Sequence, residues 1–440
     1  MTDEWRTTYQ LSSSYRLRGH EAVVLCVAAA GSRLASGAEA EAVAAVAFNP
    51  AVPDGASVFA AAGSLIHQVD LRAGSVVQTY GGSSEEVNGL SISPRGAHLA
   101  AADDAGEVQV YDLAAGRQFK GIRNVHRSIC SSVAFRAHKP WDLLSGGLDS
   151  TVAKYDFSRP KCIDRWDMNA IVGEGSAGGG GGGGGGQIFN PPFVHQIATP
   201  PADERPTCQW LAAARGDGAV VVLDADVSSA ASGSSGPVTP VARGRGRGSS
   251  TGRGKGEHGG AGGGRGGGLV RPLVLDRDAG GHTRPVCSVA FAPPGAEAES
   301  AAEAGRSCRL YSAGEDCRIL MWDVREALRA RAEGHVVHAG GVAEAADAAA
   351  AAEEGSGAGS PADVRAHESQ EASDGGGVAG AGATGPPPPV GRRGVVLADV
   401  RHARKVNQLC PFAVDGRELV AVAAVSKFVT VYGLRLDGAG

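Results

Sequence analysis

The sequence predicts an all-β fold in which seven short sheets are arranged around one axis. Three observations predict it. One sequence pattern of strands and turns, which we call the phrase, recurs along the chain; apolar side chains recur at every second position over short stretches of each copy; and Gly, Pro and Asp separate the strands. One such sheet would expose both of its faces, whereas sheets stacked radially bury one another. We count seven copies of the phrase, which together predict a single domain over residues 13–433.

The copies differ in completeness. The clearest begins at Gly281-His282 and ends at Trp322-Asp323, and the second best runs from His126 to Tyr155-Asp156. A third covers residues 87–112, and weaker copies cover residues 43–70, 195–224 and 402–432. We expect each complete copy to form one four-stranded sheet.

The first copy, opened by Gly19-His20, is too short for four strands. The next copy begins almost directly after Leu34-Ala-Ser-Gly37, so two strands, about twenty residues, are missing. Either this sheet is half-built or the sequence lacks a segment, and we favour the second because an open edge invites aggregation. We expect residues 13–18 to close the ring by pairing with residues 428–432.

The Gly-His start, the turn Asp and the closing Trp-Asp or Tyr-Asp resemble the WD-repeat family. The resemblance implies a seven-bladed β-propeller, here with a truncated first blade, that serves as a platform for protein partners. In the strongest repeats of that family a His, a strand Ser, the turn Asp and the closing aromatic residue form a hydrogen-bonded chain. The matching residues are His282, Ser312, Asp316 and Trp322 in one copy, and His126, Ser145, Asp149 and Tyr155 in another.

The turn Asp has a fixed place in the phrase. Asp149 and Asp316 stand six residues before the closing aromatic residue, and Asp217 stands six residues before a Leu. A half-buried carboxylate needs a hydrogen-bonding partner, because burial without one costs several kcal/mol. We therefore interpret these Asp and His residues as structural rather than catalytic.

Three low-complexity stretches interrupt the copies. They are a polyglycine loop at 171–186, a Gly/Arg-rich insertion at 228–280 and an Ala/Gly/Pro-rich insertion at 330–392. Clustered Gly cannot bury side chains to offset the entropy of ordering the backbone, so we expect these stretches to be disordered. Long insertions cost little in loop-closure entropy, and a large ring tolerates them.

Bulk composition excludes several classes of function. The net charge is −5, from 42 basic and 47 acidic residues, which gives no global attraction to nucleic acid or acidic lipid. The eight Cys form no Cys-x-x-Cys pair, and we find no signal sequence, membrane span, nucleophile elbow, zinc motif or phosphate loop. We expect a monomeric, intracellular protein, cytoplasmic or nuclear, that is not an enzyme and has no cofactor, metal or membrane contact.

Two segments suggest partners. Trp322-Asp323-Val324-Arg325 resembles the Trp-Asp-x-Arg motif by which some WD-repeat proteins engage the DNA-damage-binding adaptor of cullin-4 ubiquitin ligases. Val69-Asp70-Leu71-Arg72 is a degenerate second copy, with Val in place of Trp. An Arg after the last residue of a strand can project its planar guanidinium towards a partner's carboxylate or carbonyl groups. The alternative is that Arg325 and Arg72 are ordinary exposed residues at the end of a blade, with no partner.

The second segment is the Arg/Gly tract, which includes Arg243-Gly-Arg-Gly-Arg247 and Arg265. Such segments can bind RNA through phosphate contacts and guanidinium stacking, although no Phe or Tyr is interleaved here. The sequence therefore leaves two hypotheses: a non-catalytic scaffold that is a substrate receptor of a cullin-4 ligase, or an RNA-associated WD-repeat protein. The cargo cannot be read from recognition loops in one sequence.

Overall fold

The computed structural model describes residues 9–39, 43–171, 190–200, 207–229, 271–293, 308–332, 335–338, 341–344 and 395–436. These residues form a β-propeller, which confirms the predicted all-β architecture. Seven positions follow one another around the axis, and we number them 1 to 7 in chain order. Position 1 holds a two-stranded sheet, which we call the half-blade, and positions 2 to 7 hold four-stranded blades.

The strands follow one another in a regular order along the chain. Strand β1 (Tyr9–Arg18) comes first, and the half-blade comprises β2 (Val24–Ala30) and β3 (Arg33–Ala38). Blade 2 comprises β4 (Val43–Phe48), β5 (Ser57–Ala62), β6 (Leu65–Asp70) and β7 (Ser75–Tyr80). Blade 3 comprises β8 (Val87–Ile92), β9 (His98–Asp103), β10 (Val108–Asp112) and β11 (Arg117–Ile122). Blade 4 comprises β12 (Cys130–Phe135), β13 (Asp142–Gly147), β14 (Thr151–Asp156) and β15 (Lys161–Asp167).

The second half of the ring contains longer connections. Blade 5 comprises β16 (Val194–Ala198), β17 (Trp210–Arg215), β18 (Val220–Asp224) and β19 (Leu273–Leu275). Blade 6 comprises β20 (Val286–Phe291), β21 (Arg309–Gly314), β22 (Arg318–Asp323) and β25 (Val396–Arg401). Between β22 and β25 lie helix α1 (Val324–Ala332) and a hairpin of β23 (His335–His338) and β24 (Gly341–Glu344). Blade 7 comprises β26 (Val406–Val414), β27 (Arg417–Ala424), β28 (Phe428–Leu436) and β1. Short 3-10 turns occupy Pro53–Gly55, Met168–Ala170 and Thr207–Gln209.

The chain closes the ring through its two ends. Strand β1 pairs antiparallel with β28 and becomes the outermost strand of blade 7, with Leu17 opposite Val429 and Ser13 opposite Tyr432. This is the predicted closure. The innermost strands contact one another in sequence from β2 to β26, and β26 returns to β2.

The core lies between the blades rather than within them. Six buried clusters fill the spaces between successive neighbours from blade 2 to blade 7 and between blade 7 and the half-blade. One example is the space between blades 5 and 6, where Trp210, Val222 and Trp322 are almost fully buried. Burial of side chains this large dominates the hydrophobic stabilisation of such a fold.

The predicted count of seven complete blades is wrong. The described residues form six four-stranded blades, and the first unit contributes only the half-blade. The reason is the length of the connection: β3 ends at Ala38, β4 begins at Val43, and residues 39–42 alone link them. No chain remains there for a third and a fourth strand.

The predicted insertion boundaries are also partly wrong. Strand β19 lies inside the stretch 228–280, because Leu273–Leu275 supplies the fourth strand of blade 5. The end of α1 and the β23–β24 hairpin lie inside the stretch 330–392. Residues 230–270 and 345–394 of these insertions, and residues 172–189 with the polyglycine, lie outside the described residues.

Candidate partner-binding rim

One rim of the propeller is formed by the segments that follow the third strand of each blade. In blades 2 to 6 that strand ends in an Asp: Asp70, Asp112, Asp156, Asp224 and Asp323. Each carboxylate accepts a hydrogen bond from a backbone N–H of the next few residues, at distances of 2.8 to 3.0 Å. These Asp residues therefore build the turn in the way typical of Asx turns. Asp70 and Asp323, which we expected to contact a partner, are engaged with their own segments.

Arg72 stands on a compact turn in blade 2. Oδ1 of Asp70 accepts hydrogen bonds from the N–H groups of Arg72 at 2.8 Å and Ala73 at 3.3 Å, and these bonds hold the pKa of Asp70 below its usual value. The N–H of Gly74 donates to the carbonyl oxygen of Asp70 at 2.8 Å, and Gly74 has a φ of 64°, which favours glycine. The side chain of Arg72 is 72% exposed, with Nε 3.6 Å from Asp70 Oδ1. A fixed backbone thus presents a solvent-accessible guanidinium.

Arg325 occupies the matching position in blade 6 but has a different environment. It lies in the first turn of α1, and its side chain is only half-exposed. Asp323 caps this helix by accepting the N–H of Glu326 at 3.0 Å, and burial raises the pKa of Asp323. Trp322 is fully buried, and Ala327 anchors the helix in the core. Helix α1 therefore restricts the directions in which Arg325 can reach a partner.

The two arginines do not form one local site. Blades 2 and 6 are separated around the ring by the half-blade and blade 7. Both residues lie two positions after the Asp that ends the third strand, and so they share a rim. A partner that contacts Arg72 and Arg325 together must cover a broad part of that rim.

Blade 6 contains a four-residue hydrogen-bonded chain. Nδ1 of His282 lies 2.9 Å from Asp316 Oδ1, and its Nε2 lies 2.9 Å from Ser312 Oγ. The indole Nε1 of Trp322 donates to the same Ser312 oxygen at 2.8 Å, which leaves the Ser312 hydroxyl proton for His282. Burial alone would raise the pKa of Asp316, but the hydrogen bonds from His282 and from the backbone of Thr283 outweigh it and lower the pKa.

Blade 4 repeats this geometry except at its last member. His126 lies 2.9 Å from both Asp149 Oδ1 and Ser145 Oγ, and the pKa of Asp149, despite the opposing effect of burial, is lowered by His126 to about 2. Tyr155 occupies the position of Trp322, but its buried hydroxyl has no hydrogen-bonding partner among the described residues. Burial accordingly raises the pKa of Tyr155.

Blade 5 replaces the chain with an ion pair. The predicted network residue Asp217 pairs with Arg215 of the same blade, whose Nε lies 3.0 Å from Asp217 Oδ1 and whose Nη1 donates to the carbonyl of Ile171 at 2.8 Å. Ala213 stands where blades 4 and 6 have their Ser, so a His would have no hydroxyl partner here. A guanidinium from the same strand satisfies the turn Asp instead.

An aromatic cluster on the same rim was missed by sequence reasoning. His98 of blade 3 lies 5.4 Å from the ring of Phe119 and 6.0 Å from Trp141, and Trp141 lies 5.3 Å from Phe157 of blade 4. Trp141 is 46% exposed and Phe119 37% exposed. Exposed Trp next to packed aromatic rings is a frequent anchor in protein interfaces. An alternating sequence pattern does not show which aromatic residues from different blades meet.

The innermost strands of the blades line a central channel. It has a volume of about 510 Å³ and is lined by many small and apolar side chains from the innermost strands and by nine polar ones, among them Asn88, Ser131, His195 and Gln408. Within the described ranges, no three His, Cys, Asp or Glu side chains come together in a way that could hold a metal ion. The channel thus adds no candidate site to the rim.

The comparisons with known proteins agree with this geometry. The family model described as "WD domain, G-beta repeat" matches residues 74–112 and 277–323, which include the last strand of blade 2 and the first three strands of blades 3 and 6. These segments are WD40 repeats. They contain the strands that lead to Tyr111-Asp112 and Trp322-Asp323, so the predicted resemblance is confirmed. Propellers of WD40 repeats are generally non-catalytic scaffolds.

One relative has an informative name. The chain is 23% identical over 169 residues to a protein called WD repeat-containing protein 53 homolog from Dictyostelium discoideum. The match covers 36% of this chain and 45% of that protein, so it spans less than half of either. Among the helices of the described residues, none has the length and apolar character needed to cross a membrane.

Proposed function

We propose that this WD40 propeller is a non-catalytic interaction scaffold, and that it acts as a substrate receptor of a cullin-4 ubiquitin ligase by binding the DNA-damage-binding adaptor through the rim. The observation that carries the proposal is the 72% exposure of Arg72 on a turn held by Asp70. A fixed backbone that carries a solvent-exposed guanidinium loses little entropy on binding, and Arg is one of the residue types that dominate interface energies. Trp322-Asp323-Val324-Arg325 supplies the complete motif in blade 6.

The aromatic cluster extends the same surface. The side chain of Gln78 in blade 2 donates to the carbonyl of Gly116 in blade 3 at 3.1 Å, which joins the turn of Arg72 to the next blade. Phe119 and Trp141 follow on blades 3 and 4. A charged anchor beside exposed aromatic rings matches the composition of interface hot spots.

The test is a binding titration of the purified adaptor against the wild-type protein, R72A, R325A and the double variant. Loss of a desolvated Arg at an interface costs about 2 kcal/mol or more, so we expect R72A to weaken binding about thirtyfold and R325A to weaken it less. R123A is the matched control, because Arg123 is an exposed Arg that follows β11, at the opposite rim of the propeller. Unchanged affinity of the double variant would exclude this binding mode.

The alternative function is RNA binding by the Arg/Gly tract. It is supported by the repeated Arg-Gly pairs between Arg243 and Arg265, which lie outside the described residues. Phosphate contacts release counterions, so RNA affinity should fall steeply with salt and disappear when residues 243–268 are deleted. Equal retention of RNA by the deletion variant would rule this function out.

A further inference from the structure

The half-blade has a strand edge that resembles a covered edge elsewhere in the ring. Strand β3 reads Arg-Leu-Ala-Ser-Gly-Ala, and β21 of blade 6 reads Arg-Leu-Tyr-Ser-Ala-Gly. Strand β21 is covered by β22, with Trp322 opposite Leu310. Strand β3, among the described residues, pairs with β2 alone.

The direction of the β3 backbone groups follows from one hydrogen bond. The N–H of Glu39 donates to the carbonyl of Val23 at 2.9 Å, on the side of β2. Because N–H groups alternate in direction along a strand, those of Leu34, Ser36 and Ala38 point to the opposite, open edge. In blade 6 the residues that match Leu34 and Ser36 are Leu310 and Ser312, which pair with Trp322 and Leu320.

Blade 7 presents apolar side chains beside this edge. Tyr15 and Leu17 of β1 pair with Val431 and Val429, whose side chains are buried against the half-blade. Directly paired residues share one face of a sheet, so Tyr15 and Leu17 point to where outer strands of position 1 would lie. They are 63% and 44% exposed, whereas Trp166 on the outermost strand of blade 4 is fully buried.

Blade 2 presents apolar side chains from the other side. Val76 of β7 pairs with Val69 of β6, so the two side chains share one face of the sheet. Val69 lies three residues after Ile66, which is buried towards blade 3, so Val69 and Val76 face the half-blade. In β6, Ile66 is buried towards blade 3, and by the same alternation Leu65 faces the half-blade. Val76 is 54% exposed and Leu65 42% exposed. We call the space between the β3 edge and these two walls the slot.

The slot also holds half of a hydrogen-bonded chain. Nε2 of His20 lies 2.7 Å from Ser36 Oγ, as His282 lies 2.9 Å from Ser312 Oγ in blade 6. In blade 6 the Ser312 oxygen additionally accepts the indole N–H of Trp322. Ser36 Oγ has the same capacity to accept an indole N–H from a strand placed on β3.

We propose that the slot binds an extended segment of another protein, which pairs antiparallel with β3 by β-strand addition, alternates apolar side chains and places a Trp opposite Leu34. Backbone hydrogen bonds to the edge supply affinity in this mode, and the side-chain pockets supply specificity. The alternate side chains would cover Tyr15 and Leu17 on one face and Leu65 and Val76 on the other.

A second copy of the chain is a poor fit to the slot. Blades 2 and 7 each extend two strands beyond β3, so the edge is recessed by about 10 Å at the usual strand spacing. Two recessed β3 edges cannot approach each other to pair. The chain's own stretches at 230–270 and 345–394 consist largely of Gly, Ala, Arg and Pro, and they lack the alternating apolar pattern of a strand.

The test uses a peptide that copies residues 314–323 of this chain with the substitution C317S, labelled for fluorescence anisotropy and titrated with the full chain. We expect saturable binding. Two N-methylated versions form the matched pair: methyl groups on the residues equivalent to Leu320 and Trp322 block the N–H groups that face β3, and those on Ile319 and Met321 leave them free. Loss of these backbone bonds should weaken binding of the first version about tenfold relative to the second. No binding, or equal binding of the two versions, would overturn the proposal.

Variants of the protein locate the site. L17K and V76K place a charge on each wall and should weaken binding of the unmethylated peptide about fivefold or more. I163K is the control, because Ile163 is 48% exposed on the outermost strand of blade 4. Equal affinities of all three variants would place the peptide elsewhere. A dimer in sedimentation experiments that the peptide disperses would assign the slot to a second copy and contradict the proposal.

Discussion

Blade 6 and the half-blade begin with the same structural elements and end differently. Each has a His at its entrance that contacts a Ser on the second strand, at 2.9 Å for His282 and 2.7 Å for His20. In blade 6 the third strand adds Trp322, and Ser312 becomes fully inaccessible to solvent. In the half-blade no described strand covers β3, and His20 and Ser36 remain half-buried. The comparison shows that the His–Ser contact does not need a third strand, but its burial does.

Removal of Trp322 should have the largest effect on the stability of the protein. W322A should destabilise the fold by about 3–5 kcal/mol, because a fully buried indole leaves a cavity and a broken hydrogen bond. W322F keeps most of the packing and should cost only about 1 kcal/mol for the hydrogen bond. Urea unfolding followed by fluorescence measures both. A cost below about 1 kcal/mol for W322A would show that the third strand contributes little to blade 6.

The turn Asp of blades 4 and 6 should make the next largest contribution to the free energy of unfolding, and this contribution depends on pH. In the folded protein the pKa of Asp149 is about 2, below the ordinary value of 3.8 for an Asp, and the pKa of Asp316 is also lowered. The stabilisation is therefore complete above the unfolded-state value and is lost as the pH falls from about 4 towards 2. D149N should cost about 1.5–3 kcal/mol at pH 7 and progressively less below pH 4. Unfolding curves recorded between pH 7 and pH 2.5 would contradict this if the difference stayed constant.

The smallest expected effects on the free energy of unfolding come from replacing Ser312 in blade 6 and Ser36 in the half-blade. S312A removes a hydroxyl with two buried hydrogen bonds and should cost about 2 kcal/mol. S36A removes one half-buried bond and should cost about 0.5 kcal/mol. The pair is measured under identical denaturant conditions. An S36A cost equal to that of S312A would mean that something already covers the β3 edge.

Much of blade 6 could be predicted from the sequence. The offsets between His282, Ser312, Asp316 and Trp322 follow from strand lengths and two-residue periodicity, so the phrase itself places these side chains together. The same offsets did not identify the partner of Asp217, because an ion pair with Arg215, two residues earlier, cannot be distinguished from a surface charge by spacing alone. Tyr155 matches Trp322 in position but differs in the direction of its polar group.

The count of blades and the exposure of the rim could not be predicted in the same way. Counting copies of the phrase counts blade beginnings, and the first copy has a beginning without its outer strands. Arg72 and Arg325 each stand two residues after the Asp that ends the third strand of their blade. Helix α1 starts at Val324, however, and half-buries Arg325. The exposure of Trp141 depends on side chains of another blade. These properties arise from contacts between segments distant in the chain.

Closure by β1 and β28 has a consequence for how the protein is made. The paired residues Leu11 and Leu434 lie near opposite ends of the described chain, so the ribosome releases one partner long before the other. During synthesis β1 has no strand to pair with, and blade 7 can be completed only after β26 to β28 have emerged. Unpaired edges of this kind are aggregation-prone in incompletely folded chains. The nascent protein therefore depends on β28 to become a closed ring, and truncation within β28 would leave β1 without its partner strand.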